Sequence, residues 1–217
     1  MTKQERAHTA KTILDRLYPT VPIPLDHTDP FTLLIAVLLS AQCTDKRVNL
    51  VTPALFKIGP TPQKMAHLTV DQILACINTC GLANSKAKNV KRLAQLLLER
   101  HNGEVPATFS DLEALPGVGH KTAGVVLSHA FHIPALPVDT HIHRLAQRWK
   151  LSNGSSVTQT EADLKKLYAP ADWELLHLQI ITYGREHCPA RSCHGLTCEI
   201  CRTCFPNRRT PITTRKA

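Results

Sequence analysis

The chain has 217 residues, a net charge of +9 and a pI near 9.3, so it can bury a sizeable core and its balance suggests a polyanionic partner. Met1 to Arg6 lack the apolar centre of a signal peptide, and no apolar run reaches the about 20 residues that a membrane span needs, which points to a cytoplasmic protein rather than a membrane one.

Helical signals run through the chain in order. Lys3 to Leu17 places Ala10, Ile13, Leu14 and Leu17 on one face. Pro19, Pro22 and Pro24 then make an extended link. Asp29-Pro30 reads as a helix start, a capping carboxylate followed by Pro at the first helical position. Phe31 to Leu39 is apolar on all sides, as a central helix would be. Asp45 starts another helix, which Pro53 is expected to kink or shorten. Thr69-Val70-Asp71-Gln72 is a capping box, and Gly81 ends its helix. Ser85 to His101 follows, with Gly103 as its stop. Ser110 to Glu113 reads as a second capping box. Thr158 to Glu161 marks a further start, and Trp173 to Arg185 a late helix. No alternating pattern suggests strands, so the expected class is all-α.

The stretch Leu115-Pro116-Gly117-Val118-Gly119-His120-Lys121 falls between two of these helices. A tight hairpin uses glycine where φ is positive. It also feeds a helix N-terminus, where backbone N–H groups and the dipole favour an anion. The stretch lacks the Gly-Lys-Ser/Thr of a nucleotide-binding loop, so a nucleic-acid phosphate is the natural guest. A plain Gly-rich turn between core helices is the alternative. Pro137-Val138-Asp139-Thr140-His141 follows, where Asp139 on its own reads as a helix N-cap.

The two stretches together resemble the endonuclease III family of DNA glycosylases. Pro30-Phe31, Ser40-Ala41-Gln42, Gly81-Leu82-Ala83-Asn84-Ser85-Lys86-Ala87 and a C-terminal cysteine group extend the resemblance over nearly the whole chain. It implies a central six-helix lobe over 22–133 and a second lobe from 1–21 and 134–217, with the active site in the cleft between them. It implies a monomer that acts on double-stranded damaged DNA near the nucleoid. The activity implied is removal of oxidised pyrimidines, followed by a nick 3′ to the abasic sugar.

Within that resemblance Lys121 is the nucleophile at the sugar C1′ and Asp139 stabilises the charge that develops there. Attack needs a neutral amine, which desolvation and the positive helix end favour and a nearby carboxylate opposes. Gln42 is expected to fill the gap left by an extruded base and Leu82 to wedge from the other side. Gly117, Val118, Gly119 and His141 are expected at the DNA. A related adenine glycosylase is the runner-up. It lacks the lysine and carries an acid in the helix before its Gln, where this chain has Val37 and apolar neighbours. A non-catalytic helix-hairpin-helix DNA-binding protein is the reading from another class.

Eight cysteines are present, five of them between Cys188 and Cys204. In a chain without an export signal this reads as a metal site rather than a disulfide framework. Cys188, Cys198, Cys201 and Cys204 offer four thiolates, as a 4Fe–4S cluster requires, while His187 and His194 keep zinc open. The resemblance implies the 4Fe–4S cluster. The family spacing C-x6-C-x2-C-x5-C, counted from Cys188, falls on Gly195, Cys198 and Cys204, so one ligand must shift. Moving the inner pair to Cys198 and Cys201 leaves Cys193 outside; the other solution is Cys193 with Cys198. Cys43, Cys76 and Cys80 read as buried thiols.

Overall fold

The computed structural model describes residues 1–217. It is helical with no strand, and no helix is long and apolar enough to cross a membrane. Twelve α-helices follow one another: α1 (Lys3–Leu17), α2 (Pro30–Ser40), α3 (Asp45–Ile58), α4 (Pro62–His67), α5 (Val70–Ile77), α6 (Ala83–His101), α7 (Phe109–Glu113), α8 (His120–Phe131), α9 (Thr140–Arg148), α10 (Val157–Lys165), α11 (Trp173–Glu186) and α12 (Glu199–Cys204). The chain divides into two compact units, Ile23–Ile133, and Met1–Pro22 with Pro134–Ala217.

The middle unit is built around α2. Every side chain from Phe31 to Leu39 is buried, and Leu33, Leu34, Ile35 and Leu39 have no exposed surface. Truncating any of these to Ala costs about 2–5 kcal/mol. Asp29 caps the helix as expected: its carboxylate accepts from Thr32 N at 2.9 Å, and the Thr32 hydroxyl returns to the Asp29 backbone. Around α2 stand α3, α6 and α8, while α4 and α5 pack on α6 and α7 packs on α8.

The middle unit holds seven helices where six are expected, because α4 is an extra short one. Its start is Thr61, whose side chain accepts from Lys64 N, followed by Pro62. Pro53 sits inside α3 without shortening it. Two expected caps move by two residues. Thr108, not Ser110, caps α7, and Ser156, not Thr158, caps α10.

In the other unit α1 packs on α11 and α12, α9 packs on α11, and α10 on α9. Trp149 and Tyr183 are buried at its centre with ring centroids 5.9 Å apart, edge to face, a favoured aromatic geometry.

Candidate active site and metal centre

The hairpin between α7 and α8 is set by Gly117 and Val118. Gly117 has φ +81, and a Cβ there would stand 2.9 Å from Asn89 Nδ2 and 3.1 Å from Leu38 Cδ1. Val118 is buried, so its side chain anchors the loop in the core and only its backbone can face a ligand. Gly119 differs from the expectation of a left-handed turn: it is extended, with φ −98 and ψ 175, and is the N-cap of α8. A Cβ there would meet nothing within 4 Å. No side chain caps this helix. Its first N–H groups and dipole therefore open onto a space that only a glycine leaves fully clear.

Lys121, exposed, is the second residue of α8. Beside it His120 stacks on Phe109, with centroids 4.7 Å apart, and its Nδ1 lies 2.6 Å from Glu113 Oε1. Glu113 thus meets the start of the second helix rather than serving a capping box.

Asp139 belongs to the other unit. It is the N-cap of α9, its Oδ1 accepting from Ile142 N at 2.9 Å, and it is half-buried. Capping is therefore part of what Asp139 does. His141, also half-buried, turns Nδ1 toward Arg144 Nη2 at 3.3 Å.

Gln42 and Leu82 share an unusual backbone state. Both are left-handed, φ +52 and +61, and both are exposed. At 58 % exposure Leu82 is no core leucine.

The C-terminal cysteines differ from the expected set. The sulfurs of Cys188, Cys193, Cys198 and Cys201 all lie within 4.8 Å of one another, and all four residues are buried. Cys204 is not in the group, and Cys193 takes the fourth place. The reason is helical rotation. At 3.6 residues per turn, Cys201 stands about 60° from Cys198 around α12, while Cys204 has moved about 120° away. Cys204 is buried elsewhere, which pushes its thiol up to about 11. No histidine joins the group, so His187 and His194 are outside it. Of the three remaining cysteines only Cys80 is buried; Cys43 and Cys76 are half-buried.

An all-sulfur set of this kind suits zinc or an iron–sulfur cluster. A buried cation stands against the group: Arg148 is 2 % exposed, and its Nη1 donates to Cys188 Sγ at 3.2 Å. Its other hydrogen bonds end on the carbonyls of Cys188, Pro189 and Ala190. The four residues therefore fit an anionic metal–thiolate centre. Cys193 belongs to the second of the two spacing solutions, but neither solution pairs it with Cys201, and Arg148 is not marked by the sequence. The only signal for Arg148 is its i,i+4 spacing from Arg144, which donates to Cys188 O from the same helix.

Residues 35–170 match the model of the HhH-GPD superfamily of base excision DNA repair proteins. Endonuclease III of Synechocystis sp. is 42 % identical over 204 residues, covering 94 % of this chain and 93 % of the relative. Endonuclease III of Escherichia coli K12 is 48 % identical over 183 residues, covering 82 % and 86 %. Among solved structures, a trapped endonuclease III–DNA covalent intermediate superposes with a TM-score of 0.87 at 39 % identity, covering 92 % of this chain and 94 % of that one. A thermostable thymine-DNA glycosylase, at 22 % identity and a TM-score of 0.78, shares the fold. The chain belongs to the HhH-GPD superfamily of base excision DNA repair proteins, alongside the bacterial endonucleases III.

Proposed function

We propose that the chain is a bifunctional DNA N-glycosylase and AP lyase that removes oxidised pyrimidines from double-stranded DNA and nicks 3′ to the abasic sugar. The observation that carries this reading is an exposed Lys121 at the uncapped N-terminus of α8, behind the open space at Gly119. The hairpin N–H groups hold a backbone phosphate and the lysine reaches the sugar beside it.

The neutral amine of Lys121 attacks C1′ while the glycosidic bond breaks and its electron pair leaves with the base. The Asp139 carboxylate stabilises the positive charge on the sugar. The attached amine loses one proton, and its lone pair then breaks the C1′–O4′ bond, giving an iminium while O4′ takes up a proton. Loss of a 2′ proton then expels the 3′ phosphate, and water hydrolyses the Schiff base to free the enzyme. Gln42 and Leu82 occupy the gap left by the extruded nucleotide.

Cys188, Cys193, Cys198 and Cys201 are assigned to a 4Fe–4S cluster, which would act as a cross-link of the C-terminal loop. The protein acts as a monomer in the bacterial cytoplasm. Adenine glycosylase is disfavoured because α2, from Phe31 to Ser40, carries no acid.

The test is borohydride trapping on duplexes bearing thymine glycol, an abasic site, or adenine opposite 8-oxoguanine. Covalent trapping of the native chain on the first two, and none of Lys121→Ala, is expected. Base release confined to the adenine duplex, or efficient trapping of Lys121→Ala, would overturn the reading.

A further inference from the structure

Lys86 is a cation nearly cut off from water, with 4 % of its surface exposed. Its Nζ donates to Leu39 O at 2.8 Å and to Ala41 O at 2.6 Å, and no carboxylate is among its hydrogen-bond partners. Two thiols, Cys43 and Cys80, stand near it, and its burial lowers its pKa. Burying an ammonium against carbonyls alone is costly, and only the negative end of the α2 dipole offsets part of the cost.

What this arrangement holds in place is specific. Ala41 is the residue before Gln42, and Gln42 has φ +52. The backbone N–H of Lys86 donates to Leu82 O at 3.0 Å, and Leu82 has φ +61. Neither residue is a glycine, so both conformations carry strain and persist only where their surroundings fix them. The two loops also touch: a Cβ on Gly81 would come within 2.6 Å of Gln42 O. The Lys86 side chain thus ties down the Gln42 loop, and the close approach of Gln42 O to Gly81 carries that hold to the loop of Leu82, whose carbonyl begins the α6 ladder at Lys86 N.

We propose that Lys86 is a positioning residue that presets Gln42 and Leu82 for entry into the DNA duplex, so the enzyme meets DNA with both already in their working conformation. The proposal rests on the gap-filling roles assigned above. In Lys86→Met, amide exchange at Ala41, Cys43 and Lys86 should accelerate. Cleavage of a duplex abasic site should fall about a hundredfold, the scale attached to a misplacement of about 1 Å. Cleavage of an abasic single strand, which has no helix gap to fill, should stay at the native rate. Lys86→Arg, which keeps donors, should recover part of the duplex activity.

Native exchange and native duplex cleavage in Lys86→Met would overturn the proposal. So would an equal loss on duplex and single strand, which would mark a plain folding defect. If Gln42→Ala and Leu82→Ala both cut duplex DNA like the native chain, the gap-filling roles themselves fail. The exchange measurement then decides alone whether Lys86 holds the loops.

Discussion

Arg148 Nη1 stands 3.2 Å from Cys188 Sγ, and none of the guanidinium's hydrogen bonds reaches a carboxylate. A buried cation without a compensating anion is strongly destabilising. The one acceptor among its hydrogen-bond partners that can carry charge is sulfur. Four neutral thiols would not supply it, whereas four thiolates on a metal centre would. With the proposed cluster bound, Arg148 and the thiolates would stabilise each other, and losing either should weaken the other.

The first prediction follows from that coupling. Arg148→Met removes four hydrogen bonds at a fully enclosed position. Breaking a buried charge pair costs about 3–5 kcal/mol. In a chain of this size such a loss lowers Tm by on the order of 10 °C. Iron and sulfide content per chain should drop in parallel. A variant with native Tm and full iron content would show that the charge on the sulfurs is balanced elsewhere.

The second prediction separates Cys193 from Cys204. Cys193 lies in the sulfur group and Cys204 does not. Cys193→Ser should purify colourless or insoluble. Cys204→Ser should keep its iron–sulfur absorbance, with a modest stability loss from placing a hydroxyl in an apolar site. Colour in the first and none in the second would restore Cys204 as a ligand.

Much of this architecture can be read from the residues, and the failures have local causes. α1 is legible from its apolar face, α2 from an unbroken apolar run behind the Asp29-Pro30 start, and α5 from its Thr69 capping box. At Thr108-Phe109-Ser110 and Ser156-Val157-Thr158 two hydroxyls stand two residues apart. Which one caps depends on the path of the incoming chain, and no local pattern reports that. α4 escapes because six residues show too little periodicity, although Thr61-Pro62 signals its start. The ligand set is misjudged for a different reason. Cys193 lies in an irregular loop with no period to place it, whereas Cys204 continues an even spacing that helical rotation then carries away from the site. Lys86 stands in the Gly81–Ala87 motif, but its burial appears only once the end of α2 folds against it.

The third prediction concerns Asp139, which is both cap and proposed catalytic carboxylate. Asn is as good an N-cap as Asp, so Asp139→Asn can still accept from Ile142 N. Its Tm should stay close to native, while base excision falls steeply. Asp139→Ala should lose the same activity and in addition about 1 kcal/mol of stability. If Asp139→Asn excises damaged bases at the native rate, the residue is a cap and nothing more.

The last prediction uses the contrast between the two hairpin glycines. At Gly117 the backbone is left-handed and the space above it is filled by Asn89 and Leu38. Gly117→Ala must bear about 1–2 kcal/mol of backbone cost, plus crowding against its neighbours. At Gly119 the backbone is extended, φ −98, and the space is open. Two small terms oppose there. Ala reduces the freedom of the unfolded chain, which stabilises by about 0.4–1 kcal/mol, but it is a poorer N-cap than Gly. Gly119→Ala should therefore melt near the native temperature. A methyl group there nonetheless occupies the space proposed for a phosphate at the start of α8. Gly117→Ala should lose Tm, and Gly119→Ala should lose DNA affinity with Tm retained. The weakening should extend to undamaged duplexes of any sequence, because a phosphate contact carries no sequence information. The salt dependence of binding should flatten only if a charged contact is lost along with the hydrogen bonds. Native affinity of Gly119→Ala at physiological salt would take the hairpin out of the DNA interface, and with it the support for placing Lys121 beside the sugar.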